Sequence, residues 1–523
     1  MHLRYTNETH RDTSISRGFA DQLPRNLLAN IFYFLANIAI GVFLVPYFVS
    51  NLGVAAYGLI PLATSITGYA AIVIQSLNTS VSRFLTIDLQ RENYAAANLT
   101  FNTAFFGLTA VILLMVPVVL AVAWFVPSIF NVPAGQERGM VLLLLGVCAA
   151  FLLRSWSGNF TVQLFAYNRL DLQNLVNLAN LLVQTGLIVL LFTLFGPNLA
   201  LVGVAYLAGA IVASGISIIL ARRVCPHLRV SIYGFDRTRV KDLCEMGGWV
   251  VIDQTGTLFL FQIDLILVNL LFGTRSSGEY AIALQWGILL STIASALAGV
   301  LAPTILAYYA LKRTESLIKI TQSAVKFIGL ALALPAGLIC GFAPQLLTIW
   351  VGAEYANLAP LMVLLTAHLA VNMSIQPLFL VNVAHNRVRI PGIVTILLGI
   401  MNLTLAIVIP LVTGWGYYGV AVAGVLILTF RHTLFVPWYA AKILNIRMVT
   451  YLKSLVLGAL AMLFIGVGAA SIAIAVSLQS LLTLIIAGTG ITLIYGIVVL
   501  GLVLTPFEKQ LFKSYLPQRF KKY

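Results

Sequence analysis

Charge is what this 523-residue chain has least of. Only 9% of its residues are Asp, Glu, Lys or Arg, and just 16 of them are acidic. A soluble globular chain carries about 25%, so a soluble domain is excluded. Cysteine is scarce as well. Cys148, Cys225, Cys244 and Cys340 form no C-x-x-C pair and are divided between apolar and basic stretches, so neither a disulfide framework nor a metal site is implied. There is no Walker loop, no G-x-S-x-G and no H-E-x-x-H. Hence no enzyme, no cofactor and no ATP binding are expected. No cleavable signal peptide is expected either, because the first apolar run follows a polar tail and has no A-x-A-like exit.

What the chain does have is apolar length: 60% hydrophobic residues and a mean hydropathy of +0.98. A helix needs about 20 apolar residues to cross the hydrocarbon core. Fourteen such runs lie near 26–50, 57–82, 100–126, 140–163, 173–195, 199–221, 244–271, 278–308, 326–350, 358–383, 391–412, 419–441, 453–476 and 480–505. The few charges sort between the runs. Of the 31 Lys and Arg, 27 lie in the two tails and the even-numbered gaps, whereas the odd gaps hold only Arg138 and Arg275. The positive-inside tendency therefore puts both termini in the cytoplasm. The net charge of +15 reads as topology and attraction to anionic membrane lipid, with no nucleic-acid partner. Trp124, Trp350, Trp415 and Tyr417 mark outer span ends, and Tyr167, Tyr308 and Trp438 inner ones.

The chain partly repeats itself. LGVAAYGL from Leu52 aligns with FGTRSSGEY from Phe272, which places Gly53 on Gly273 and Gly58 on Gly278. Farther on, Gly203-Val-Ala aligns with Gly419-Val-Ala. Both matches fall at outer turns, so the halves share an orientation and are related by an axis along the membrane normal. The reading is an all-α polytopic membrane protein of about 14 transmembrane helices: two six-helix bundles related by a parallel pseudo-two-fold, plus two C-terminal helices set apart as an appendage. The divisions are 1–232, 233–447 and 448–523, with the basic stretch 221–242 as a hinge. Paired parallel bundles suit alternating access around a site near the midplane, which points to a transporter.

Several segments resemble polysaccharide flippases. FQIDLILVNLLFGTRSSGEYAIALQW (Phe261 to Trp286) is similar to their seventh-to-eighth-helix signature. FVSNLGVAAYGLIPLATSI and SRFLTIDLQRENYAAANLTFNTAF resemble their N-terminal half, and NRLDLQNLVNLANLLVQTGLIVLLF (Asn168 to Phe192) their fifth helix. The family belongs to the multidrug/oligosaccharidyl-lipid/polysaccharide exporter superfamily. The resemblance implies a V-shaped pair of bundles and a bacterial inner-membrane setting. It also implies an undecaprenyl-diphosphate-linked oligosaccharide as substrate, with a polysaccharide polymerase and chain-length proteins as prospective partners. Where some relatives carry a cation in the eighth helix, this chain has neutral Gln285, Ser291, Thr292 and Ser295. The alternatives are a cation-coupled multidrug exporter or peptidoglycan-precursor flippase of the same superfamily, or a membrane glycan polymerase or ligase. The last would need a sizeable outer loop, and the outer gaps are short.

Ionisable groups within spans usually face a water-filled cavity or a partner. Arg154 lies mid-span, with Ser157, Gly158 and Thr161 at helical spacing on its face, and a guanidinium fork suits phosphate oxygens. The alternative is a packing ion pair. Arg431 and His432 interrupt the twelfth run, and His368 begins a stripe with Asn372 and Gln376. In the second run Gln75 and Asn78 lead to Arg83 at the inner mouth, in a pattern that also suits plain helix packing; Asn30 and Asn37 share a face of the first. The substrate-binding candidates are therefore Arg154, Arg431, Gln75, Asn78, Arg83, Asn37, His368 and Asn372. Asp253 and Asp264, eleven residues apart and so on one helical face, are the candidate coupling-ion residues. For Asp264 a structural ion pair or cap is the competing role.

Overall fold

The computed structural model describes residues 2–231, 235–236, 240, 251, 254–385, 387, 389–476 and 478–504. Among them every regular element is a helix. In a bilayer this is what backbone chemistry requires, because N–H and C=O groups cannot be left to water that is not there. Thirteen helices among the described residues are long and apolar enough to cross a membrane. One of them, Gln254–Leu301, has 48 residues, about 72 Å if straight and more than twice the hydrocarbon thickness of about 30 Å. It breaks at Gly273, whose φ of 85° suits glycine alone. Its two limbs stand where the seventh and eighth apolar runs were expected. The protein is a multi-pass membrane protein.

The chain forms two compact units, Met1–Gly278 and Glu279–Tyr523. The first holds α1 (His2–Leu52), α2 (Val54–Gln90), α3 (Tyr94–Ile129), α4 (Glu137–Ala166), α5 (Leu170–Phe195), α6 (Leu199–Val224), a helical stretch at 254–261 and the start of α7 (Ile263–Ala310). Here α4 is the central post, packed most closely on α6 and also touching α2, α3 and α5. Gly146 and Gly203 make that closeness possible, since a side chain on either would collide with the other helix's backbone. Ser214 Oγ donates to Ser157 Oγ at 3.0 Å farther along the same seam. An aromatic cluster of Phe101, Phe105, Trp156 and Phe160 fills the space between α3 and α4. Apolar residues left outside, such as Leu113, Leu114 and Trp124, provide a surface suited to lipid.

Two aligned glycine pairs stand out in this unit. Gly53 and Gly273 both take the left-handed backbone, with φ of 80° and 85°. Gly58 and Gly278 touch each other, and neither leaves room for a side chain.

The second unit continues α7 and adds α8 (Thr314–Gly341), α9 (Ala343–Trp350), a 3-10 turn (Ala353–Leu358), α10 (Ala359–Asn372), α11 (Gln376–Ala384) and α12 (Arg389–Thr413). Then come α13 (Tyr417–Thr429), a π-helical segment (Phe430–Phe435), α14 (Val436–Ile443), α15 (Val449–Ala475) and α16 (Leu481–Val498), which ends in a second π segment (Val499–Val503). Three expected spans are less regular than their hydropathy suggests. The run 326–350 is parted at Phe342. The run 358–383 is interrupted at 373–375, where Pro377 just inside α11 has no N–H to continue the ladder. The run 419–441 widens into the π segment.

The two C-terminal helices, grouped as one appendage by the sequence reading, differ from each other. α15 is built into the unit: Gly329 meets Gly458, Gly337 meets Ile465, and Gly341 meets Ala469 across the α8 seam. Tyr451, fully buried, shares a 3.1 Å hydrogen bond with Thr321. α16 has no buried residue. It is tied to α8 by Tyr495 Oη donating to the Leu330 carbonyl at 2.8 Å.

Candidate transport site

In the first unit the polar groups of α1, α2, α4 and α5 draw around Arg154. Its Nη2 donates to Asn177 Oδ1 of α5 at 2.7 Å, while Nη1 is buried with no hydrogen-bond partner. The Tyr33 phenol lies within electrostatic reach of the guanidinium, and Asn37 Nδ2 donates to that phenol at 3.3 Å. One helical turn along α4, Gly158 leaves space next to the amide of Asn78, whose Oδ1 is also buried without a hydrogen-bond partner. Arg154, Asn37 and Asn78 thus reach one region of the unit. Ser157 does not share it, because its hydroxyl is turned into the α4–α6 seam. Gln75 and Arg83 lie on α2 with side chains outside the described residues, and Asp253 lies outside them altogether.

The anchoring role of Asn177 was not among the expectations. Gln173, Asn177, Asn180 and Gln184 follow a 4-3-4 spacing along α5, which puts four amides on one helical stripe within an apolar span. That spacing was the available signal. The stripe is shared between neighbours: Asn177 serves Arg154, whereas Asn180 and Gln184 pack against Gly209 of α6.

Asp264 stands at the start of α7, close to Tyr69 of α2, next to the place where Gln262 fills the notch left by Gly68. A turn at Gln262 separates residues 254–261 from α7. The common face expected for Asp253 and Asp264 falls outside the described residues with Asp253.

The second unit has its own polar cluster, and it is more enclosed. Arg431 is 6% exposed and His432 2%. Arg431 donates from Nη2 to Thr395 Oγ1 of α12 at 2.9 Å, and its Nη1 lies 3.0 Å from His432 Nε2. A guanidinium can only donate, so Nε2 is the acceptor and the proton of the neutral ring sits on Nδ1. The guanidinium also lies 5.2 Å from the ring centre of Phe379 of α11, a cation–π distance. On α10, Asn372 Nδ2 is 2.8 Å from His368 Nδ1 and 3.2 Å from Thr429 Oγ1. The π segment explains how adjacent Arg431 and His432 both turn inward, since the wider coil shifts the helical phase there. Among the described residues no group of three His, Cys, Asp or Glu could hold a metal ion.

Two helical units, each keeping polar groups inside an apolar shell, make up the fold, and solved structures share it. An inward-facing multidrug resistance MATE family transporter of the MOP superfamily superimposes with a TM-score of 0.57 at 16% identity, covering 83% of this chain and 95% of that one. The lipid II flippase MurJ in an inward closed conformation gives 0.56 at 14% identity, covering 93% and 99%. Residues 25–308 match the family described as polysaccharide biosynthesis protein. An uncharacterized membrane protein of Bacillus subtilis (strain 168), EpsK, is 30% identical over 497 residues, 95% of this chain and 98% of its own length. The chain belongs to the family described as polysaccharide biosynthesis protein.

Proposed function

We propose that the protein is a flippase carrying an undecaprenyl-diphosphate-linked oligosaccharide from the cytoplasmic to the outer leaflet of a bacterial inner membrane by alternating access, for surface polysaccharide synthesis. Arg154 carries this reading: a mid-span guanidinium, steered from one edge by a neutral amide, with a buried Nη1 left for an incoming oxygen. No carboxylate neutralises it among the described residues, so the positive field is available to a diphosphate. A drug exporter for cations would be poorly served by that field.

In this reading both termini are cytoplasmic and the units work as two six-helix bundles of like orientation. The shared φ of Gly53 and Gly273 supports such a repeat. Asp253 or Asp264 would couple transport to an ion, ATP would not be bound, and a polymerase with chain-length proteins would take the product.

The test is flipping of a lipid-linked oligosaccharide in proteoliposomes. Parent protein should move it, and Arg154→Ala, reconstituted in equal amount, should lose most of the rate while Arg154→Lys keeps part. Equal rates in all three would overturn the reading. A peptidoglycan precursor presented in parallel distinguishes the two lipid-diphosphate substrates, since both offer the same handle to Arg154.

A further inference from the structure

A second basic site lies at the other end of α4. Twelve residues separate Arg154 from Ala166, about 18 Å along the helix axis, and beyond Ala166 a cavity opens between α1, the α4–α5 turn and α6. Its volume is about 440 Å³, and Gln22, Tyr167, Arg169, Leu172, Leu220 and Arg223 line it. Two cations and a phenol stand over leucines from two different helices, a polar mouth over an apolar wall.

The wall is built rather than incidental. Asn26 of α1, 5% exposed, donates from Nδ2 to the Asn168 carbonyl at 2.8 Å and accepts on Oδ1 from the Asp171 N–H at 2.9 Å. That pair of bonds staples α1 to the turn. Arg169 is aimed by a two-point ion pair with Asp171, both contacts 3.0 Å, through Nε and Nη2. Its other guanidinium hydrogens remain for a second acceptor. The Tyr167 oxygen accepts from the Cys225 thiol at 3.7 Å, which leaves the phenol hydrogen to donate; burial holds that phenol above its ordinary range and therefore neutral. Arg223, exposed in the last turn of α6, has no carboxylate bridging it among the described residues.

We propose that this cavity binds the phosphate of an anionic phospholipid, with Arg223 as the principal cation, Arg169 and Tyr167 as supporting donors, and the acyl chain lying along Leu172 and Leu220. Basic pockets between helices at a membrane surface recognise such headgroups by the same chemistry. The tenant is a resident of the bilayer and is independent of the transported substrate.

The experiment uses the full-length protein, purified in detergent, delipidated, and titrated with phosphatidylglycerol or phosphatidylcholine while bound lipid is counted by native mass spectrometry. Parent protein should retain phosphatidylglycerol several-fold over phosphatidylcholine. Arg223→Gln should abolish the preference at unchanged melting temperature, and Leu220→Trp, which fills the cavity without touching a charge, should lower retention as well. Undiminished phosphatidylglycerol retention in folded Arg223→Gln overturns the proposal, as does equal retention of the two lipids by the parent. A further arm adds inorganic phosphate alone. Stabilisation by phosphate that phosphatidylglycerol fails to reproduce would mark a free-anion site and overturn the lipid assignment.

Discussion

Arg154 and Arg431 are the two cations deep in the apolar runs, and they live in opposite surroundings. Arg154 has one neutral hydrogen-bond partner and a buried Nη1 without any. Arg431 is held by Thr395, His432 and the face of Phe379. Both helices had to meet the cost of placing a guanidinium among apolar neighbours. Arg154 leaves a terminal nitrogen unmatched, whereas both terminal nitrogens of Arg431 are taken by side chains of its own unit. On the proposed reading, the remaining hydrogen-bonding capacity, and not depth in a span, tells a binding cation from a structural one.

The largest effect should come from Arg154→Ala. Losing a buried charged partner costs about 2 kcal/mol or more, so flipping should fall about 30-fold while the protein melts close to the parent. The matching change in the other unit, Arg431→Met, should invert that pattern. Breaking the bonds to Thr395 and His432 costs roughly 1–3 kcal/mol of stability, several degrees of melting temperature, while the rate per folded molecule stays within about threefold. If Arg431→Met stops transport at an unchanged melting temperature, the contrast between the two arginines collapses. Asn177→Ala comes next, expected to slow flipping about fivefold, the worth of about 1 kcal/mol for one orienting hydrogen bond. A loss as large as that of Arg154→Ala would mean that orientation is everything. Gly158→Ala should do least. An added methyl would meet the Asn78 amide at 3.5 Å, an ordinary contact, so a change below about twofold is expected, and a large loss would show the substrate pressing against that spot.

Much of the fold was legible because the bilayer imposes one-dimensional rules: apolar length gives a span, and charge cannot hide within it. The long stretch around Gly273 was read as two runs for that reason, and it breaks at the glycine the repeat had singled out. The backbone changes at 373–375 and, around the polar pair Arg431 and His432, at 430–435 were not visible. Hydropathy averages over them, and they depend on proline geometry and on which neighbours can satisfy the backbone. The site was legible only by residue type. Arg154 drew attention as a cation in a span, but its partner Asn177 belongs to a stripe whose members go to different helices, and only tertiary packing decides which. Ser157 shows the same limit in reverse. Its spacing placed it beside Arg154, yet a position three residues on is rotated far enough to meet α6 instead.

The seam between α8 and α15 has a mechanical consequence. Glycine and alanine bring the two backbones so close that they can hardly slide past each other, and α16 rests on them through partly buried Leu484, Ala487 and Ile491 and the Tyr495 hydrogen bond to α8, with no fully buried residue. Whatever rotation α8 undergoes, a helical rod on its outer flank must sweep through lipid. If transport rotates α8, as the proposed alternating access requires, it would meet viscous drag from the surrounding acyl chains, which stiffens in thick or ordered bilayers and eases in fluid ones, independently of any chemistry at Arg154.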